Sequence, residues 1–235
     1  SQDIATLALG LDHDLLAEYH FHHKMNLLQR ITPNMEQMLS DSGHAISDLD
    51  GVVVSLGPGS FTGLRIGVTI AKSLAYSLSK PLVGVGTLDA MARGVAPSGT
   101  EIICSMTHAR ADEVYWSVFD SSGTVRLGEY ELDTVGRALD SVFARGVSAC
   151  FCGTGADRNR EQIHHRFGDR ACVCESWSCF ARGAALLDLG LRRLRDGYHD
   201  DAFDLTPIYV RKPTPVVRLE TGEFEKPRSR PEGAV

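Results

Sequence analysis

The sequence has no long apolar run. None of its 235 residues lies in a stretch approaching the roughly 18–20 consecutive apolar residues that a membrane-spanning helix requires. The first residues also lack the basic region and apolar core of a secretory signal. Aromatic residues are few, at 7%, yet hydrophobic residues reach 43%, which is ordinary for a globular protein and excludes a disordered chain. We therefore expect a cytoplasmic globular protein that does not bind membranes.

The chain also has fewer basic than acidic residues. The chain carries 24 Lys and Arg against 30 Asp and Glu, a net charge of −6. Binding to a phosphate backbone needs a cationic surface, so the chain is not expected to hold nucleic acid by itself. Any contact with RNA is expected to be made mainly through a partner.

Five of the six cysteines lie close together in sequence, in Cys150-x-Cys152, Cys172-x-Cys174 and Cys179. A gap of one residue lacks the turn on which paired thiolates usually converge on zinc. The two pairs therefore predict buried strands in which cysteine serves as a small apolar residue. Structural zinc and a disulfide are the alternatives.

Hydrophobic patterning predicts an α/β protein with two lobes, over residues 1–98 and 99–212, followed by a mobile tail over 213–235. A hairpin opens the chain, a helix follows over about 26–42, and the valine-rich run at 51–56 is typical of a buried parallel strand. The second lobe is predicted as an antiparallel meander with strands over 102–106, 113–119 and 125–132. Helices over 134–145 and 156–167 then alternate with strands over 148–152 and 171–175. A helix over 178–197 ends it.

A glycine-rich turn separates the valine-rich strand from a helix over about 62–79. A turn of this kind before a helix can offer backbone N–H groups to an anion. It lacks both the Lys-Ser/Thr pair of a P-loop and the spacing of a dinucleotide fingerprint, so a tight structural elbow competes with a phosphate cradle. The turn residues singled out are Gly57, Gly59, Ser60, Phe61, Thr62, Gly63 and Arg65. Gly153-Thr154-Gly155 is a second, weaker candidate.

Small residues recur every four positions on the helix over 62–79. Glycine inside a helix costs up to about 1 kcal/mol relative to alanine, so a closely packed helix should compensate. That helix is either the one over 26–42 of the same chain or one from another subunit. The predicted partner interface comprises Leu28, Ile31, Met35, Gly63, Leu64, Gly67, Ala71 and Ala75.

Catalytic and metal-binding patterns are weak. His20, His22 and His23 cluster near the end of the hairpin, where a solvated edge is a simpler interpretation than a metal site. No G-x-S-x-G elbow occurs, and no histidine partner for Ser60 is evident. We predict no catalytic residue and no metal ligand.

The glycine-rich segment Gly57–Gly67, with Lys72-Ser73-Leu74-Ala75-Tyr76 and Pro81-Leu82-Val83-Gly84-Val85 after it, resembles the TsaB (YeaZ-type) family of bacterial tRNA threonylcarbamoyladenosine biosynthesis. Ala109-Arg110, Gly153-Thr154-Gly155 and Pro207-x-Tyr209-x-Arg211 add to the resemblance. It extends to about residue 212.

The resemblance implies the two-lobed actin/Hsp70/sugar-kinase-like (ASKHA) fold with a reduced second lobe. It also implies a non-catalytic paralogue of TsaD, the subunit that transfers threonylcarbamoyl to the adenosine following the anticodon. Such a chain acts as scaffold and activator, pairs with TsaD through the helices at 26–42 and 62–79, and is joined by TsaE. A homodimer is plausible without TsaD. No cofactor of its own is expected, since ATP and metal belong to the partner subunits.

Two other functions compete with that interpretation. One is an independent ATP-dependent enzyme of the same superfamily, against which stands the lack of paired metal-binding aspartates. The other is a glycopeptidase-like metalloprotease, for which no H-E-x-x-H motif is present to activate water.

The chain departs from the family at three places. Leu27-Leu28-Gln29 stands where many members have His-Ser-Glu, and His108-Ala109-Arg110 where many have Asp-Ala-Arg. The family opens with a strand ending in Asp-Thr-Ser, and Ser1 aligns with that serine. We therefore expect the first strand to be missing, the natural protein to begin earlier, and two sheet edges to be exposed where the strand would lie.

Overall fold

Apolar residues on both sides of Asp12-His13-Asp14 form a β-hairpin at the start of the chain. The computed structural model describes residues 4–22, 26–178 and 180–210. Strand β1 (Ile4–Leu11) pairs antiparallel with β2 (Asp14–His22), and Asp12 at the turn has a φ of 53°. Aspartate tolerates this left-handed conformation better than most residues, which explains the sharp reversal.

The rest of the first lobe is a βαβ unit preceded by one helix. Its elements are α1 (Leu27–Asp41), β3 (Val52–Gly57), α2 (Phe61–Leu78), β4 (Leu82–Gly86) and α3 (Thr87–Val95). β3 and β4 are parallel, with Val52 opposite Leu82, and β4 is buried along its whole length. Because α1 begins at Leu27, Pro33 lies inside the helix rather than in its first turn.

The second lobe is built on a five-stranded sheet in the order β7-β6-β5-β8-β9. Its elements are β5 (Ile102–His108), β6 (Glu113–Asp120), β7 (Glu131–Thr134), α4 (Val135–Phe143), β8 (Ala149–Cys152), α5 (Thr154–Arg158), α6 (Arg160–Phe167) and β9 (Ala171–Val173). Residues of α4 and α6 pack on one face of this sheet, and α3 packs on the other. Both faces are thus covered.

The last described part of the chain returns to the first lobe. Helix α7 (Gly183–Arg195) packs on β1, β3 and β4, and Leu205 joins the core beside Val54. The Asp200 carboxylate accepts from the backbone N–H of Gly84 on β4 at 2.8 Å. Residues 183–210, which the sequence assigns to the second lobe, therefore complete the first.

The two small sheets of the first lobe are separate. β1 pairs with β2 and β3 pairs with β4, but β1 and β3 are not hydrogen-bonded to each other. Between them is a largely apolar cleft of about 670 Å³. Residues of β1 and β3 both line this cleft.

Three element boundaries differ from the sequence prediction. The last helix starts at Gly183 rather than 178, because Phe180 leaves the helical path to stack edge-on against His20 at 5.0 Å. The helix predicted over 156–167 is divided at Asn159, whose side chain donates to the Gly155 carbonyl at 2.8 Å. The third meander strand begins only at Glu131. The predicted tail at 213–235 lies outside the described residues.

The buried-strand prediction for the cysteines holds for the first pair. Cys150 and Cys152 are buried thiols that form no disulfide, and the Sγ atoms of Cys150 and Cys174 lie 3.5 Å apart. Cys172 is exposed instead, because it faces away from the core on a short edge strand. Among the described residues, no helix is both long enough and apolar enough to cross a bilayer.

Candidate functional site

The glycine-rich segment forms a tight turn between β3 and α2, as its sequence predicts. Gly57 has a φ of +103°, and a β-carbon there would lie 2.8 Å from Leu64 Cδ1, so only glycine fits. Ser60 is the N-cap of α2, and its Oγ accepts from the N–H of Gly63 at 3.3 Å. The Ser60 hydroxyl thus accepts from a backbone N–H that would have to donate to an anion bound at this turn.

The turn is packed against the end of the described chain. The rings of Phe61 and Tyr209 lie 5.5 Å apart, and the Arg65 guanidinium lies 3.8 Å from the Phe61 ring centroid. Arg65 Nε also donates to the Tyr209 hydroxyl at 3.2 Å, and the N–H of Ile208 donates to the Leu56 carbonyl at 2.8 Å. These contacts favour the structural elbow over the phosphate cradle.

The role of Tyr209 is not evident from the sequence, although Pro207-x-Tyr209-x-Arg211 marks the segment. Arg211 lies outside the described residues. Lys72, in the middle of α2, holds the same segment by donating to the carbonyls of Phe203 and Leu205 at 2.9 and 3.0 Å. Sequence gives no signal for these contacts, since they join residues more than 130 positions apart.

The second glycine turn also serves internal packing. Gly153 has a φ of +96°, and a β-carbon there would lie 2.2 Å from the Met106 carbonyl oxygen. The hydroxyl of Thr154 accepts from the N–H of His108 at 3.2 Å. This turn therefore fastens β8 to β5.

The predicted interface helices place most of their apolar residues inside the fold. Ala71 and Ala75 are 6% and 2% exposed and pack against Val54 and Leu82 of the sheet below. Ala71, Ala75 and the equally buried Leu64 therefore have almost no surface of their own to present to a partner. The half of the small-residue stripe formed by Ala71 and Ala75 therefore packs on the chain's own sheet.

The remaining predicted positions divide between cleft and surface. Ile31, Met35, Gly63 and Gly67 are partly buried and line the cleft between β1 and β3. Only Leu28, 63% exposed in the first turn of α1, is strongly presented to solvent.

The histidines near the hairpin end do not form a metal site in the described residues. Glu18 is the only acidic partner found beside His20, at 3.3 Å, and no group of three or more His, Cys, Asp or Glu able to hold a metal occurs in the ranges described. His22 is exposed. His23 lies outside those ranges.

Glu18 joins the hairpin to α7 through a buried carboxylate. It accepts from Arg182 and, at 3.0 Å, from the N–H of Ala184 in the first turn of α7. Burial acts to raise the pKa of Glu18, but the Arg182 guanidinium and the Ala184 N–H outweigh it and hold that pKa below its ordinary value. The ionised carboxylate therefore secures the helix start.

A first lobe with a βαβ unit and a smaller second lobe with a five-stranded sheet define an actin/Hsp70/sugar-kinase-like fold with a reduced second lobe, as expected. The chain belongs to the TsaD family, since the family described as "TsaD: tRNA N6-adenosine threonylcarbamoyltransferase" matches residues 22–152.

Relatives and solved structures confirm the resemblance to the TsaB (YeaZ-type) group. The chain is 40% identical to the TsaB protein of Escherichia coli over 92 residues, 39% of this chain and 40% of that protein. It is 39% identical to the Bacillus subtilis TsaB protein over 114 residues, 48% and 49% of the two chains. Each match thus spans less than half of the relative.

One crystal structure, of an uncharacterised Pseudomonas aeruginosa protein with similarity to peptidase YeaZ, superposes with a TM-score of 0.77. The two chains are 25% identical, and the alignment covers 89% of this chain and 95% of that one. The Pseudomonas aeruginosa YeaZ structure, 23% identical, shares the fold with a TM-score of 0.71 over 88% and 94% of the two chains.

Proposed function

We propose that this chain is a non-catalytic partner of a TsaD subunit in the biosynthesis of N6-threonylcarbamoyladenosine at the tRNA adenosine following the anticodon. The family match over residues 22–152 carries the proposal, because it includes α1, the glycine-rich turn and α2. Relatives named for threonylcarbamoyladenosine biosynthesis in Escherichia coli, Bacillus subtilis and Haemophilus influenzae support it.

The geometry of the glycine turns supports a scaffolding role. The turn before α2 is packed against Tyr209, and the turn at Gly153 is filled by the backbone of Met106. The residues of these two turns, which in a kinase-like protein could bind phosphate groups, make contacts within the chain here. We therefore assign ATP and metal to the partner subunits, and tRNA contact mainly to those partners because the chain is acidic.

The surface for TsaD lies on the outer sides of α1 and α2. Leu28 is exposed on α1, and Tyr76 near the end of α2 is 70% exposed, stacked edge-on with the exposed Phe203 at 5.6 Å. Exposed apolar and aromatic side chains of this kind are typical anchors of protein interfaces. TsaE joins the pair, and a second copy of the chain occupies the same surface when TsaD is absent.

The first experiment reconstitutes tRNA threonylcarbamoylation from TsaD, TsaE, ATP and a threonylcarbamoyl donor, with and without this chain. We expect product only when the chain is present, and no ATP hydrolysis by the chain alone. Metal-dependent ATP hydrolysis by the isolated chain would instead establish the enzyme alternative. Full activity without the chain would contradict the proposal.

The second experiment tests the surface by titrating TsaD into the chain. Leu28→Glu places a charge in the proposed interface, and we expect at least a tenfold loss of affinity. Val125→Glu is the matched control, because Val125 is similarly exposed, at 55%, but lies in the second lobe. Equal affinity for wild type and Leu28→Glu would remove α1 from the interface.

A further inference from the structure

The thiols of Cys150 and Cys174 are adjacent in the second lobe, although the two residues are 24 positions apart in sequence. Their Sγ atoms lie 3.5 Å apart, because β8 and β9 are parallel neighbours and the N–H of Cys174 donates to the Phe151 carbonyl at 2.9 Å. The sulfurs of a disulfide are about 2.05 Å apart, so these two atoms need to approach by about 1.5 Å. β9 ends at Val173, which places Cys174 beyond the last residue of the strand.

The two thiols differ in their access to solvent. Cys150 is buried and packs in the core with Leu88 and Phe119. Cys174 is only half-buried, at the edge of the same cluster. A small reagent that enters from solvent therefore meets the Cys174 sulfur before the Cys150 sulfur.

A guanidinium is fixed beside Cys174. Arg160, the first residue of α6, donates through Nη2 to the Cys174 carbonyl at 2.6 Å and through Nη1 to the Val173 carbonyl at 3.1 Å. The same guanidinium pairs with Asp157 at 3.3 Å. Its position is therefore determined by three contacts, two of which lie on the backbone at Cys174.

The proton of the pair stays on Cys150. The hydrogen bond from Cys150 lowers the pKa of Cys174, burial opposes it, and the charges of Arg160 and Glu175 act in opposite directions, with a lowered pKa as the result. The same hydrogen bond, together with burial, raises the pKa of Cys150. A thiolate is the nucleophilic form of cysteine, so Cys174 is the nucleophile and Cys150 the thiol that follows it.

We propose that Cys150 and Cys174 form a redox-active dithiol, which a hydroperoxide oxidises to an intramolecular disulfide. The Cys174 thiolate attacks the outer oxygen of the hydroperoxide, the O–O bond breaks, and the released oxygen leaves as water or alcohol after protonation. Cys174 is then a sulfenic acid. Cys150 attacks its sulfur, so that the S–S bond forms, the S–O bond breaks, and the hydroxyl leaves as water with the Cys150 proton. A small dithiol reduces the bond again by exchange.

The first test treats the native full chain with equimolar hydrogen peroxide, blocks the remaining thiols with N-ethylmaleimide in urea, and digests the product with trypsin. Trypsin places Cys150 in the peptide 146–158 and Cys174 in the peptide 171–182. We expect the two peptides to be linked, fragmentation spectra to locate the bond between Cys150 and Cys174, and dithiothreitol to remove it.

Cys152→Ser and Cys172→Ser are the matched controls, because each changes a cysteine two positions from one member of the pair. Cys152 is buried, with its Sγ atom 3.3 Å from Ser105 Oγ, and Cys172 is exposed. Both variants should form the same bond as wild type. The absence of a linked peptide, or a bond to any other cysteine, would overturn the proposal.

The second test establishes the order of the two steps with dimedone, which labels sulfenic acids. In Cys150→Ser, peroxide should leave Cys174 as a sulfenic acid that dimedone labels. In Cys174→Ser, labelling of Cys150 should be at least tenfold weaker. Cys150→Ala, which puts no hydroxyl in the core, is measured beside Cys150→Ser. Stronger labelling of Cys150 than of Cys174 would contradict the assigned roles.

The third test measures the rate of oxidation against pH. Arg160→Gln removes the cation beside Cys174 and should slow oxidation at least threefold at neutral pH, whereas the rates should converge at high pH, where the thiolate is complete in both proteins. Arg166→Gln is the control, since Arg166 lies on the same helix but pairs with Asp140. A loss of equal size at every pH, or an unchanged rate, would contradict the assignment of Cys174 as the charged thiol.

Discussion

Gly190 of α7 lies directly against Val53 of β3, so close that a β-carbon on the glycine would be 2.4 Å from Val53 Cγ2. The backbone of the helix packs directly on the Val53 side chain at this point, because the helix has no side chain of its own there. The contact helps to hold α7 against β3 of the first lobe.

We expect Gly190→Ala to destabilise the protein by about 1–3 kcal/mol, since overpacking at Val53 outweighs the better helix propensity of alanine. Urea unfolding measures the change. Val53→Ala in the same chain should recover part of the loss, giving a non-additive double-mutant cycle. Additive effects would show that the two residues are not in contact.

Gly67→Ala should have the opposite effect. It lies inside α2 with no neighbour within 4 Å of the added β-carbon, so alanine should stabilise the chain by about 0.5–1 kcal/mol. The midpoint of urea unfolding should rise. A fall in the midpoint would mean that another part of the protein fills this space.

Tyr209 should hold the glycine-rich turn through its ring and its hydroxyl separately. Tyr209→Phe removes only the hydrogen bond to Arg65 and should cost about 0.5–1.5 kcal/mol. Tyr209→Ala also removes the contact with Phe61 and should cost more. If thermal unfolding of both variants matched wild type, the segment around Tyr209 would not be bound to the turn in solution.

Glu18 should make stability depend on pH on the acidic side. Its pKa is held below the ordinary 4.5, so its contribution is complete above that pH and is lost as pH falls through the lowered value. At neutral pH, Glu18→Gln should cost about 1.5–3 kcal/mol, the range for hydrogen bonds to a charged group. Melting temperatures of the two proteins should converge at low pH, and a constant difference would contradict this assignment.

The cysteines should differ in reactivity toward iodoacetamide. Among the described cysteines Cys172 is the exposed one, and it should react before Cys150 in the native protein. Cys150 should be protected, because its hydrogen bond to Cys174 and its burial raise its pKa and suppress the thiolate. Peptide mass spectrometry resolves the sites, and labelling in urea should remove the difference. Equal native rates would show that β8 opens readily.

Local patterns in the sequence were enough to predict much of the first lobe. The valine-rich strand, the tight glycine turn and the following helix all appear as expected, because each depends on neighbouring residues. The sequence could not predict which element packs against the small residues of α2. Ala75 packs equally well under a foreign helix or on its own sheet, and only the tertiary structure decides.

Contacts between distant parts of the chain account for the remaining errors. The Phe180 ring stops the last helix early by packing on His20, and Tyr209 reaches Phe61 over a similar distance in sequence. The periodicity of residues 178–197 is consistent with helix throughout. No local signal in the sequence shows that Phe180, in the first turn of that segment, packs on His20 instead of continuing a helix.

The return of residues 183–210 to the first lobe determines the order in which the protein can assemble during synthesis. All strands of the five-stranded sheet lie within residues 102–173, so this sheet can form before α7 has been synthesised. The hairpin at the start of the chain has to wait for α7, because Thr6 bonds to Gly183, which is 177 positions further along the chain. Contacts of such long range form slowly. The half that is made first is therefore finished last, and the apolar side chains that α7 covers stay exposed to aggregation throughout translation of the other half.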